Sequence, residues 1–311
     1  MTMYTLGIDT SNYATSLAVF DASAKEVVCD KKQFLPVKPG QLGLRQSDAL
    51  FHHTVALPTL LQELGREFDL TKIGAVGVST RPRAVEGSYM PCFLAGQSAA
   101  TAFAAARNLP LVQTSHQQGH IAAALLAANP ELFHQPVLVF HVSGGTTDLL
   151  LRDGLEQIRC LGTSNDLYAG QAVDRVGVSM GFGFPAGVMV SQMAQQCQEE
   201  MRVKVSVKGT NCNLSGLENQ CNKLRAQGKS DAYVCKYCLT FIAETALKMV
   251  QAAQVQYPGL PVVFAGGVMS SDIIRPYIKK RLPGSYFVPG KFSSDNAIGV
   301  SCIAAQEVYC G

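Results

Sequence analysis

The most restrictive feature of this 311-residue chain is a short design that occurs twice. The first copy, Tyr4-Thr5-Leu6-Gly7-Ile8-Asp9-Thr10-Ser11-Asn12 followed by Thr15-Ser16-Leu17-Ala18-Val19-Phe20, reads as strand, polar turn, strand. The second follows Pro136: Val137-Leu138-Val139-Phe140-His141-Val142, then Ser143-Gly144-Gly145-Thr146-Thr147-Asp148, then Leu149-Leu150-Leu151. Each is a hairpin whose tip carries glycine, serine, threonine and aspartate. Further strand and helix patterns follow both, including Ile73 to Val78 and Pro91 to Arg107 in the first half, and Tyr168 to Gly181 and Ala232 to Ala253 in the second. Two halves on one plan predict a duplicated α/β fold with a cleft between the copies.

Small residues at a hairpin tip let backbone N–H groups approach an anion closely, which suits phosphate binding from two sides. A third glycine turn, Ala265-Gly266-Gly267-Val268, follows a buried strand and precedes a helix expected over 272–282, where a nucleotide's phosphate or ribose can be held. This arrangement resembles the duplicated actin-like ATPase fold of actin, sugar kinases and heat-shock proteins (ASKHA), two lobes with a central cleft. The expected N-terminal lobe covers 1–115, with the C-terminal helix 292–311 packing back onto it, and the C-terminal lobe covers 116–291.

Composition removes several alternatives. With 47% hydrophobic and 16% charged residues the chain can bury a large core and is not disordered. No apolar run reaches the roughly 18 residues that span a bilayer, and Met1-Thr2-Met3-Tyr4 lacks the basic start of a signal peptide, so a cytoplasmic location without a membrane is expected. The ten cysteines are then expected as free thiols, with the single CxxC, Cys235 and Cys238, used for packing in an apolar helix. A net charge of +3 does not by itself imply nucleic-acid binding.

The most specific local signal is Ser115-His116-Gln117-Gln118-Gly119-His120. Histidines at i and i+4 share one face of a helical turn, the geometry for a common metal ion, although capping or core imidazoles fit the same spacing. A third candidate ligand, Asp295, precedes the final helix, expected over 297–308; taken alone it reads first as an N-cap. Two histidines and one carboxylate with open positions suit a divalent iron or zinc ion.

His116 and His120, Ser143-Gly144-Gly145, Ala265-Gly266-Gly267-Val268 and Ser294-Asp295-Asn296, in this order and across the chain, resemble the TsaD-type tRNA threonylcarbamoyladenosine synthases, once called glycoproteases. Gly7-Ile8-Asp9-Thr10-Ser11, Ala169-Gly170-Gln171-Ala172-Val173-Asp174, Pro185-Ala186-Gly187 and Leu214-Ser215-Gly216-Leu217 extend the likeness. The resemblance implies metal-dependent transfer of a threonylcarbamoyl group from its adenylate to a tRNA adenosine amine. It implies His116, His120 and Asp295 as metal ligands, and Ser143, Gly144 and Gly145 at the adenylate phosphate. Asp174 and Gly187 fall at nucleoside positions; Gly266, Gly267 and Ser271 extend the nucleotide site. Partners implied are an ATP-type nucleotide or acyl-adenylate, tRNA, and family partner subunits or a second copy of the chain.

The chain also departs from that pattern. The loop that usually reads Glu-Thr-Ser-Cys-Asp-Glu-Thr is Asp9-Thr10-Ser11-Asn12-Tyr13-Ala14-Thr15, so an acidic pair is missing. The His that commonly follows Ser-Gly-Gly is Thr146, Gly-Glu becomes Gly170-Gln171, and an Asn becomes Ser271. Gly-Pro-Gly-Leu becomes Arg81-Pro82-Arg83-Ala84, whose guanidiniums either grip a phosphate or carboxylate or lie out on a surface loop. Asp9, Thr146, Arg81 and Arg83 are the candidate catalytic residues. The leading expectation is the transferase; the alternative is a catalytically altered nucleotide-binding scaffold or regulatory paralogue. Phosphoryl transfer to a small molecule ranks last. Peptidase activity is not expected, because Gln117 stands where a zincin carries its glutamate base.

Overall fold

In the computed structural model of the protein the described residues are 3–36, 44–142, 144–154, 157–292 and 297–310. In chain order there come first β1 (Tyr4–Thr10), β2 (Ala14–Asp21), β3 (Glu26–Phe34), α1 (Gln46–Glu67), β4 (Ile73–Arg81), α2 (Phe93–Arg107), β5 (Leu111–Ser115) and α3 (His116–Ala128). The middle stretch opens with β6 (Val137–Val142), β7 (Thr147–Arg152), β8 (Ile158–Thr163), α4 (Ala169–Ser179), α5 (Gly187–Gln195), β9 (Ser206–Lys208) and β10 (Asn211–Asn213). It continues through α6 (Gly216–Ala226), α7 (Asp231–Gln256), β11 (Val262–Ala265), α8 (Ile274–Arg281) and β12 (Tyr286–Phe287), and α9 (Ile298–Tyr309) ends the chain.

Two compact units result, Met1–Phe133 with Ser294–Gly311, and His134–Ser293. Both α9 and α3 belong to the first unit, so the division between the units falls after Phe133. The reason is packing, because α3 and α9 lie against each other, and a Cβ at Gly299 would overlap the carbonyl oxygen of Gly119. Only glycine permits that approach.

Each unit holds a five-stranded sheet, in order β3-β2-β1-β4-β5 and β12-β11-β6-β7-β8. In both, the hairpin strands and the strand after them run antiparallel, while the first hairpin strand pairs in parallel with a later strand on its other side, β4 or β11. A further parallel strand, β5 or β12, closes each sheet. The repeated hairpin is thus the seed of two sheets with the same connectivity.

Strands β1 and β2 are buried almost throughout, as expected for central strands covered on both faces, whereas β3 alternates exposed residues at the edge. One face packs Leu6, Ile8, Leu17 and Val19 against Leu57, Leu60 and Leu64 of α1 and Ala100 and Ala104 of α2. α9 contacts β1 and β4, and Thr5 Oγ1 donates to the Ser301 carbonyl at 2.8 Å. In the second unit the α7 residues Phe241, Ile242 and Val250 pack with Leu138, Phe140 and Phe264 of the sheet. Cys235 and Cys238 are fully buried there as free thiols, and burial pushes the Cys235 thiol up to about 12, as suits packing cysteines. Among the described residues no helix is long and apolar enough to cross a membrane.

Candidate functional site

In the first unit β5 runs straight into α3, and Ser115 caps the helix: its Oγ accepts from the Gln118 amide, and Gln118 reaches back to the Ser115 amide. This capping box sets the first turn of the helix. It places His116 and His120 with their Nε2 atoms 2.9 Å apart and their rings edge to face, centroids 4.3 Å apart. That separation is less than twice the ~2.0–2.1 Å length of a metal–imidazole bond, so both nitrogens can reach one cation. His116 Nδ1 lies 3.0 Å from both carboxylate oxygens of Asp9, at the end of β1. The carboxylate is fully buried, whereas His116 is 20% exposed. Because an ionised carboxylate only accepts, His116 donates from Nδ1 and keeps its Nε2 lone pair on the His120 side. The Ser79 hydroxyl of β4 donates to the same carboxylate. Asp9, a candidate catalytic residue, therefore stands behind the imidazole, in the arrangement by which carboxylates orient metal-binding histidines.

Among the described residues no group of three or more His, Cys, Asp or Glu is assembled for a metal ion. Asp295, Ser294 and Asn296 lie outside the described residues. The pair His116 and His120 suits a cation by donor type and separation. Phe93 flanks His116 at 6.1 Å between centroids, and burial, then the Asp9 charge, push the neighbouring Cys92 thiol up to about 12, leaving it protonated.

Arg81 ends β4 opposite Ser115 of β5, and the Gln117 amide donates to the Pro82 carbonyl at 3.0 Å. The Arg81-Pro82-Arg83 loop is thereby tied to the start of α3; Arg81 is half-buried and Arg83 exposed. The tip of the first hairpin is held to α1 by His53. Its Nε2 donates to the Ser11 carbonyl at 2.8 Å, and its Nδ1 lies 2.7 Å from Thr15 Oγ1, whose hydroxyl donates to it when the ring is neutral. Burial lowers its pKa, against the opposing pull of the Ser11 carbonyl.

The second unit contains a cavity of about 770 Å³, within the range of small-ligand sites. Gly144, Asp174, Gly187, Gly267 and Ser271 all line it, so five of the residues expected at a nucleotide come together. Gly145, Gly266 and Thr146 are not in its wall, and Ser143 lies outside the described residues. Gly266, at φ 102°, sits so close to Val142 that a Cβ would overlap the carbonyl oxygen; this keeps the 266–267 turn against the root of the second hairpin tip. Asp174 accepts from the Ala186 amide at 2.8 Å, which ties the Pro185-Ala186-Gly187 turn to α4. Ser191 and Ser271 hydroxyls meet at 3.1 Å, and Gln195 Nε2 donates to Asp272 at 3.1 Å, joining α5 to the segment before α8.

Ser79, His53, Ser191, Gln195 and Asp272 are absent from the sequence expectation. Ser79, a buried hydroxyl in an apolar strand, was a usable signal. Ser191 and Asp272 look like ordinary solvent-side polar residues until their helices are placed. The Leu214-Ser215-Gly216-Leu217 motif has a structural anchor that was also missed, Asp166. Its carboxylate suffers partial burial, but donation from the Ser215 hydroxyl, the Leu214 amide and Asn213 outweighs that and holds it at about 2.

The sequence model of the TsaD family, tRNA N6-adenosine threonylcarbamoyltransferase, matches residues 38–302. A relative from Streptococcus mutans serotype c, named tRNA N6-adenosine threonylcarbamoyltransferase, is 28% identical over 99% of this chain and 93% of its own. Component A of the (R)-2-hydroxyglutaryl-CoA dehydratase of Acidaminococcus fermentans superposes with a TM-score of 0.59 at 14% identity, covering 98% of both chains. A ROK family glucokinase from Streptomyces griseus, solved with glucose and AMPPNP, superposes with a TM-score of 0.53 at 13% identity, covering 97% of this chain and 99% of its own. These likenesses identify the fold as the actin-like ATPase fold expected from the two hairpins. With the family match running through most of its length, the chain belongs to the TsaD family of tRNA N6-adenosine threonylcarbamoyltransferases.

Proposed function

We propose that the protein transfers a threonylcarbamoyl group from its adenylate to the N6 amine of a tRNA adenosine. The observation that carries this reading, beside family membership, is the pair of Nε2 atoms 2.9 Å apart with a buried carboxylate behind one of them. His116 and His120 would hold a divalent iron or zinc ion, with Asp295, four residues before Gly299, as the third ligand. When bound, the ion supplies Lewis-acid polarisation of a carbamoyl or phosphate oxygen. Asp9 keeps the proton of His116 on Nδ1, and Ser79 keeps the Asp9 carboxylate in place. Arg81 and Arg83 offer positive charge beside the α3 N-terminus to an anionic group.

In the second unit the amides of Gly144 and Gly267 suit the adenylate phosphate, while Asp174, Gly187 and Ser271 suit the nucleoside. In the reaction the acceptor amine forms a bond to the carbamoyl carbon and loses a proton. The bond from that carbon to the phosphate oxygen breaks, and AMP leaves with the electron pair; tip amides stabilise the charge that develops there.

The test combines purified protein, iron or zinc, threonylcarbamoyl adenylate and tRNA, with mass analysis of digested tRNA. Modified adenosine in wild type and its loss in His116→Ala and His120→Ala support the reading. One observation favours the alternative of a catalytically altered nucleotide-binding scaffold: Tyr13 and Ala14, where the family pattern has its acidic pair, put no carboxylate at the first tip. Bound metal and AMP with no modified tRNA would establish that alternative.

A further inference from the structure

Strand β6 reads Val-Leu-Val-Phe-His-Val, and its only polar side chain is His141. A histidine in a central, apolar strand is costly unless its nitrogens have work to do. His141 stands in register with Asp148 of β7 on one side and Ala265 of β11 on the other. Directly opposed residues of an antiparallel pair share a face, so imidazole and carboxylate are neighbours there. Asp148 is itself engaged, its Oδ1 accepting from Thr163 Oγ1 at 2.7 Å. The imidazole turns its Nδ1 to the hairpin tip, 3.3 Å from Thr146 Oγ1. Between them lie Gly144 and Gly145, exposed, and at neither would a Cβ meet any atom within 4 Å. The described part of the tip, Gly144 to Thr146, is therefore exposed backbone that ends in the Thr146 hydroxyl, with the His141 imidazole behind it.

The direction of that hydrogen bond decides what the tip offers. With the proton on Nδ1 the ring donates to Thr146 Oγ1, and the hydroxyl's own hydrogen is left to donate to another acceptor. With the proton on Nε2 the hydroxyl donates to the ring and has none left to give. We propose that His141 is a positioning residue of the second hairpin tip, donating from Nδ1 to Thr146 so that the threonine hydroxyl is presented to the phosphate of an adenosine monophosphate ester. The inference rests on the reading of this tip as the phosphate side of the nucleotide site. It assigns to a strand residue, working through a hydroxyl, the donor that the resemblance leads one to expect directly after the two glycines.

The full chain is titrated calorimetrically with AMP and with adenosine, which lacks the phosphate. Wild type binds AMP more tightly than adenosine. His141→Val and Thr146→Ala each weaken AMP by about tenfold, the scale of one hydrogen bond to a charged group, and leave adenosine unchanged. The double variant is no worse than either single one, because both remove the same contact. Thr146→Ser keeps AMP affinity, and His141→Val combined with Thr146→His regains it. The nitrogen chemical shifts of His141 report the Nδ1-protonated ring in the AMP complex. An unchanged AMP affinity in His141→Val overturns the proposal while leaving the phosphate reading intact. Equal weakening of AMP and adenosine overturns it too, since His141 would then only support the fold. Wild type that binds adenosine as tightly as AMP overturns the phosphate reading itself, and the role of His141 with it.

Discussion

Asp9 shows how much one side chain changes meaning once its neighbours are known. In sequence it is a carboxylate beside the polar turn of the first hairpin, one of the candidate catalytic residues. In the structure it is fully buried between the Ser79 hydroxyl and His116 Nδ1. Asp9→Asn keeps the shape and removes the charge that orients the ring, so metal affinity is expected to fall about 10–100-fold, measured by equilibrium dialysis with elemental analysis. An unchanged affinity would leave Asp9 without this role. His53 makes a different residue-scale prediction. Its folded pKa lies below the unfolded value of about 6.5 because burial disfavours the charged ring, so its stabilising effect is complete above that pH. As pH falls below about 6.5 the unfolded chain takes up a proton that the folded chain refuses, and stability drops. Thermal unfolding between pH 7.5 and 5 should therefore fall off more steeply for wild type than for His53→Asn; parallel curves would remove His53 as the cause.

At the scale of elements, contact between helices places the candidate metal pair. α9 lies on α3 where Gly299 meets the Gly119 carbonyl, and Gly119 sits between His116 and His120. Gly299→Ala forces a methyl group against a backbone oxygen that belongs to a helix and cannot turn away. The expected cost is about 1–3 kcal/mol, read as a lowered unfolding midpoint in denaturant, and metal affinity should fall with it. A neutral result would mean that α9 shifts without consequence for α3. Asp166 plays a corresponding part in the second unit, collecting donors from Leu214, Ser215 and Asn213 around one carboxylate. Since the folded pKa is about 2, that contribution is present above the unfolded value near 4 and disappears as pH falls towards 2. Asp166→Asn should speed amide hydrogen exchange at Leu214 and Ser215 at neutral pH; wild-type exchange rates there would show the network to be idle.

For the whole molecule, the division into units has an asymmetry that can be tested by cutting the chain. The second unit is one continuous stretch with its own core, whereas the first needs α9, which arrives from the far end of the sequence. A fragment covering 134–293 is expected to fold cooperatively by circular dichroism and to bind AMP. A chain truncated after Pro289 should lose cooperative folding of the first unit, because removing α9 uncovers Gly7 and Gly77 on the sheet. Failure of the fragment to fold would show that the second core depends on the first. Much of this plan was legible beforehand. The two hairpins, the glycine turn at 265–267 and the spacing of His116 and His120 are local patterns, written by strand alternation, helical periodicity and turn chemistry within a few residues. Those determined the fold class and the family pattern without any coordinates. Tertiary structure alone decided that α3 belongs with the first unit. It also decided that Asp9 backs a histidine 107 positions away, that Ser79 reaches Asp9 across 70, and that Ser191 meets Ser271 across 80. Such pairings depend on which strands lie side by side and which helices touch, and neither periodicity nor composition encodes contacts between segments so far apart along the chain.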